Sequence, residues 1–188
     1  MINQMKERFN KLLRSTEIKG IDNLITHLEL NGFYHSPASS GNHLCTEGGL
    51  LEHSLNVYDV AMEMHNETSL GYSLNFNDVV IACLLHDVGK MGAFGEPNYV
   101  PNILKSTGEQ STKKPWVTTN IGIQHQDISI MTVNKFIDLN REQAIAIKYH
   151  NGLYTPDGRD IKGNETPLYM IVHFADMWAS RVIEKKGE

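Results

Sequence analysis

The chain has 188 residues, a formal net charge of −5, and 40% hydrophobic against 21% charged residues, which suits one domain with a core of its own. Fifteen glycines and six prolines are too few for a collagen-like or linker-dominated chain, and the mild acidity argues against a surface that grips long nucleic acid through many phosphates. No apolar run approaches a membrane span, the N-terminal stretch is too polar for a signal peptide, and Cys45 and Cys83 lack metal-type spacing, so reduced thiols in a cytoplasmic protein are expected.

Helical periodicity dominates. Residues 4–13 and 20–30 predict two short helices, with Asn31-Gly32 as the stop. Residues 33–49 carry Pro, Ser, Gly and Asn and read as an ordered loop. Leu51, Leu55, Tyr58 and Met62 then share one face of a helix over 50–65. Asn77 or Asp78 can cap the next helix, whose unbroken apolar run, 79–85, suits either a buried strand or a buried helix. Helical neighbours and the lack of a partner strand favour the helix, ending at His86-Asp87 with Gly89 just beyond.

From 91 to 121 the character changes. The β-prone stretches 99–104 and 116–119 flank a polar segment, 106–114, and predict a small hairpin inserted into a helical protein. Helices are expected again over 127–139 and after Asn140, where Asn140 and Gln143 suit a capping box. A polar loop covers 152–165. Thr166-Pro167 then supplies an N-cap and a first-turn proline. Leu168, Ile171, Val172, Ala175, Trp178, Ala179 and Val182 predict the buried stripe of the last helix. No repeat or linker divides the chain. The expectation is a single mainly α domain over 1–188, with helices and a loop over 1–48 and a helical core over 49–184.

Nine histidines stand out, because several lie in apolar surroundings. The strongest local signal is Leu84-Leu85-His86-Asp87-Val88-Gly89-Lys90. An imidazole beside a carboxylate at the end of a buried helix brings nitrogen and oxygen donors into one small volume. A buried carboxylate is costly without positive charge opposite it, and a divalent metal would supply that charge. His-Asp alone is a common dipeptide, but His53 on the preceding helix and Asp176 on the last extend the set. Three separate apolar helices each carry a metal-capable residue.

This ordered pattern, His…His-Asp…Asp, resembles the HD-domain superfamily of metal-dependent phosphohydrolases over roughly 43–181. Gly48-Gly49-Leu50-Leu51-Glu52-His53-Ser54-Leu55 is similar to the opening motif of bacterial HD hydrolases. His86-Asp87-Val88-Gly89-Lys90 is similar to the extended motif also found in HD-GYP phosphodiesterases, whose GYP signature is absent here. Gly122-Ile123-Gln124-His125 resembles the segment that carries an extra histidine ligand, and Tyr149-His150-Asn151-Gly152 falls where a further one is found.

The resemblance implies a helical bundle of the HD type, bacterial or phage in kind, with a small inserted β-hairpin. It also implies a ligand set: His53, His86, Asp87 and Asp176 for one ion, and His125 and His150 for a second, with Asp87 bridging. Mixed imidazole and carboxylate donors suit Mn, Fe, Ni or Zn better than a pure magnesium site, so the expected cofactor is one or two divalent transition-metal ions. Lys90 is expected to contact substrate phosphate, which makes Asp87 and Lys90 the candidate catalytic residues. His43 is a candidate substrate contact. His173, one turn before Asp176, is expected as a hydrogen-bonded support for the ligands. His27, His35 and His65 read as ordinary surface or half-buried histidines, and core packing suits Tyr99 and Trp116 better than base stacking.

The implied activity is hydrolysis of a phosphoester on a nucleotide or short oligonucleotide. Two alternatives stand beside it: a non-catalytic nucleotide-sensing HD domain, and an exonuclease-like phosphodiesterase acting 3′ to 5′ on RNA or DNA. The negative charge and the lack of an added nucleic-acid-binding module weigh against the last.

Overall fold

The computed structural model describes residues 1–67 and 74–185. Helices α1 (Ile2–Arg14), α2 (Ile21–Leu30), α3 (Gly49–Glu67) and α4 (Phe76–Leu85) come first. The strands β1 (Tyr99–Pro101) and β2 (Trp116–Thr118) follow, and α5 (His125–Val133), α6 (Arg141–Tyr149) and α7 (Pro167–Trp178) complete the order. This is a mainly α fold with one antiparallel hairpin, as the sequence predicts. No described helix is long and apolar enough to cross a membrane.

The apolar run 79–85 is helical, and every residue in it is fully buried. A helix that is apolar on all sides has to be wrapped by others, and α1, α3, α6 and α7 pack around α4. Each fully buried Val, Leu or Ile there contributes about 1.5–3 kcal/mol of transfer free energy. The N-cap of α4 is Asn75 rather than Asn77 or Asp78, its side-chain oxygen accepting from the Asn77 backbone N–H at 2.8 Å. Asp78 instead accepts from Asn140 Nδ2 and Gln143 Nε2, both at 2.9 Å, and so ties the start of α4 to the start of α6. The capping box of Asn140 and Gln143 forms as expected.

Helix α5 stops at Val133, short of the predicted 139. The Asn134 side chain accepts from the Leu139 N–H at 3.1 Å, and Phe136 and Ile137 join the core from a turn. The hairpin is shorter than predicted but paired as expected, Tyr99 with Thr118 and Pro101 with Trp116. Trp116 Nε1 donates to the Cys45 carbonyl at 2.8 Å, which pins the hairpin to the loop before α3 and gives this indole a structural role.

Thr166 caps α7 with Pro167 in its first turn. Leu168, Ile171, Val172, Ala175 and Ala179 form its buried stripe, but Trp178 and Val182 are 56% and 55% exposed. Trp178 follows Phe174 by one turn on the outer face. Beyond it the chain winds as a π turn, Ala179–Ile183, which carries later residues off the 3.6-residue register.

Candidate metal centre

Helix ends bring the ligand candidates together. His53 lies on α3 and Asp176 on α7, while His86 and Asp87 follow α4, His125 opens α5 and His150 follows α6. Local chemistry sets two of the rings. His86 Nδ1 lies 2.7 Å from the Cys83 carbonyl, and His150 Nδ1 lies 2.8 Å from the Ile147 carbonyl, each at the last turn of its own helix. A carbonyl can only accept, so both rings carry a proton on Nδ1 and aim Nε2 inward.

Those inward atoms surround Asp87. Its Oδ2 lies 3.3 Å from His86 Nε2 and 3.5 Å from His53 Nε2. Its Oδ1 lies 3.2 Å from His125 Nε2 and 3.3 Å from His150 Nε2. Asp176 Oδ1 is 3.2 Å from His53 Nε2. The nitrogens also approach one another, at 3.3 Å for His53 and His86 and 3.4 Å for His125 and His150. Two donors about 2.1 Å from one ion, at 90–110° to each other, sit about 3.0–3.4 Å apart.

Asp87 is 1% exposed in its side chain, and neither of its oxygens accepts a well-formed hydrogen bond. Lys90 Nζ comes within 2.6 Å of Oδ2, which leaves Oδ1 facing His125 and His150. Imidazole lone pairs directed at a buried carboxylate repel it unless a cation lies between them. The donor set therefore fits divalent metal.

Burial pushes the Asp87 carboxyl up, but Lys90 and the surrounding imidazoles outweigh it and hold it well below the usual carboxylate range. Asp176 is likewise raised by burial, while His53, His86 and His150 together hold it well below the usual carboxylate range. Burial brings His125 down to about 4 and also lowers His86, which keeps both rings neutral and able to ligate at neutral pH. His53 goes the other way. Burial lowers it, yet the surrounding carboxylates of Asp176, Asp87 and Glu184 hold it well above the ordinary value.

A cleft of about 450 Å³ opens beside the ligand candidates, lined by His43, Asn42, Asn151, Tyr154, Asp176 and Arg181 among others. His43 thus lies where a substrate contact is expected, and Lys90, 16% exposed in its side chain, lies at Asp87. His173 Nδ1 donates to the His150 carbonyl at 2.6 Å, a support for a ligand candidate, and its ring stacks on Tyr169. The Arg181 guanidinium lies 4.6 Å over the Tyr154 ring. His27 and His35 bond to Asn31 and Glu47 elsewhere on the surface. A second cavity of about 550 Å³, lined by Val60, Phe174, Trp178 and Val182, contains no ligand candidate.

Two residues at the centre escape sequence reasoning. Asn151 Nδ2 lies 2.8 Å from His150 Nε2 and 3.3 Å from His125 Nε2; its position beside His150 was the available signal. Glu184, in a Glu-Lys-Lys run just past the last helix, approaches His43 and His53. Those three could themselves group around an ion. Since the carboxylate already accepts from both rings and from Asn56 Nδ2, the group is a hydrogen-bonded network.

A family model described as the HD domain matches residues 50–177. That span contains His53, His86, Asp87, His125, His150 and Asp176, whereas His43 and Glu184 lie outside it. No curated protein and no solved structure matches the chain.

Proposed function

The chain belongs to the HD-domain family, and from that premise we propose that it is a metal-dependent phosphohydrolase acting on a nucleotide or short oligonucleotide phosphoester. One observation carries this reading: the Asp87 carboxylate is divided, Oδ1 facing His125 and His150 and Oδ2 facing His53 and His86. A carboxylate shared in this way suits a bridge between two ions, with His53, His86 and Asp176 holding one and His125 and His150 the other. Mn, Fe, Ni or Zn held there would supply Lewis acidity, making water a nucleophile at neutral pH and drawing charge from phosphoryl oxygens.

The chain's own groups supply binding and orientation. Lys90 is free to donate a charge-assisted hydrogen bond to a phosphate oxygen once the charge of Asp87 is taken up elsewhere. His43 presents Nδ1 to Glu184, which leaves Nε2 for a substrate atom on the cleft side. Arg181 and Tyr154 offer positive charge and an aromatic face to a base or a second phosphate. A cleft of about 450 Å³ suits a mononucleotide, and a net charge of −5 disfavours a long nucleic acid.

The test is metal analysis of the purified chain together with a screen of phosphomonoesters, phosphodiesters and nucleoside triphosphates in Mn²⁺ or Ni²⁺. Turnover of a nucleotide that a chelator abolishes and added metal restores is the expected result. Nucleotide binding without turnover of any substrate selects the sensing alternative, and a chain that holds no metal refutes the reading.

A further inference from the structure

We propose that Glu184 is a positioning residue of the metal centre: it holds His53 from behind as a ligand, holds His43 toward the cleft, and is brought there by the π turn that ends α7. This rests on the reading of His53 as a metal ligand.

The Glu184 side chain is 1% exposed. Both its oxygens lie 3.0 Å from His53 Nδ1, Oε2 lies 2.5 Å from His43 Nδ1, and Oε1 accepts from Asn56 Nδ2 at 2.9 Å. An ionised carboxylate only accepts, so both imidazoles present N–H to it, and His53 is left with Nε2 as its donor toward Asp87 and Asp176. Such a partner fixes the tautomer and plane of a ligand ring and raises its basicity. His53 is thereby gripped at both nitrogens, by Asp176 at 3.2 Å and by Glu184, from one continuous helical segment.

Regular helix would not give that grip. Eight residues beyond Asp176, an α-helix places a side chain about 80° further round its axis. The Glu184 N–H donates to the Ala179 carbonyl at 2.9 Å, five residues back, and this wider winding takes up most of that angle. Lys185 then forms a β-bridge with His43, which anchors the segment against the loop that carries the second imidazole. Burial, three donors, the π turn and the bridge converge on one carboxylate seven residues past the family match.

Glu184→Gln tests it. The amide keeps only one accepting oxygen where three donors, His43, His53 and Asn56, converge on two, so its N–H2 has to face at least one of them, and the negative charge behind His53 is lost. Mn²⁺ titration calorimetry is expected to show affinity weakened about ten- to a hundredfold. The visible absorption of the Co²⁺-loaded chain should change with it, while the melting temperature of the metal-free variant stays near that of the wild type. Glu184→Asp keeps the charge on a shorter arm and should fall between the two; it decides the matter should the Gln variant fail to fold. Mn²⁺ affinity and Co²⁺ spectrum equal to wild type overturn the inference, as does a loss confined to metal-free stability. A wild-type chain that binds no Mn²⁺ overturns instead the metal-centre reading on which this one rests.

Discussion

A Cβ added to Gly89 would lie 2.0 Å from the carbonyl oxygen of His125, so α5 rests directly on the backbone of the turn after His86-Asp87. One hydroxyl stitches the contact: Ser129 Oγ accepts from the Gly89 N–H at 2.8 Å and donates to the His125 carbonyl at 3.0 Å. That approach lets His125 Nε2 reach within 3.2 Å of Asp87 Oδ1. The requirement at residue 89 is space for a neighbouring backbone.

Gly89→Ala therefore has to push α5 outward, because the obstacle is a carbonyl and cannot rotate away. Overpacking of this kind costs about 1–3 kcal/mol. For a chain of this size each kcal/mol lowers Tm by about 2–4 °C. The variant should melt lower and lose about one metal ion per chain, since His125 retreats from Asp87. Calorimetry with metal analysis checks both, and full metal content would show that the second site tolerates the displacement.

Much of this centre was legible in the sequence for a physical reason. Residues 79–85 are apolar on every side, so a His-Asp pair at their end is buried wherever the rest of the chain lies, and a buried carboxylate needs a cation. His53 and Asp176 were legible because they interrupt apolar helices. Glu184 was not, since its burial depends on a π turn that no periodicity announces, and the same turn misled the assignment of Val182 to the core stripe. The cap at Asn75 was hidden by competing Asx residues. Asn77 spends its side chain on the Thr16 carbonyl at 3.0 Å, and Asp78 spends its own on α6.

Replacing His125 and His150 together by alanine distinguishes a centre of two ions from a centre of one. Both nitrogens address Asp87 Oδ1, and neither lies in the set of His53, His86 and Asp176. Metal content should fall by about one ion per chain, with the remaining ion retained. An unchanged content in that double variant would make the centre mononuclear and give these imidazoles another role.

Asp87→Ala removes the group shared by both sets. It should abolish turnover and most metal binding at once, whereas His173→Ala, which removes the hydrogen bond to the His150 carbonyl and the stacking on Tyr169, should weaken both partially. Equilibrium dialysis against Mn²⁺ with activity on the screened substrate gives the comparison. Full activity in Asp87→Ala would end the metal-hydrolase reading.

Lys90 gives the sharpest test of a phosphate cleft, because its partner depends on what else is bound. Its Nζ lies 2.6 Å from Asp87 Oδ2. Burial lowers the Lys90 ammonium, but the carboxylate outweighs it and holds the group above its ordinary value. Without metal, then, Lys90 balances the charge of Asp87; with metal bound, its ammonium would be free to pair with an anion instead. Lys90→Met keeps the aliphatic stem and removes the ammonium. Metal-free protein should lose stability, since one member of a buried pair is left alone, a change worth about 3–5 kcal/mol in such sites. Metal-loaded protein should lose far less, so the rise in Tm on adding Mn²⁺ should be larger in the variant than in the wild type. The substrate loses one charge-assisted hydrogen bond of about 1.5–3 kcal/mol, so kcat/KM should fall roughly ten- to a hundredfold. Most of that fall should appear in kcat if the contact strengthens as charge develops on the phosphoryl oxygens. An unchanged kcat/KM in fully metallated Lys90→Met would transfer the phosphate contact to another cation, with Arg181 on the cleft wall the next to replace.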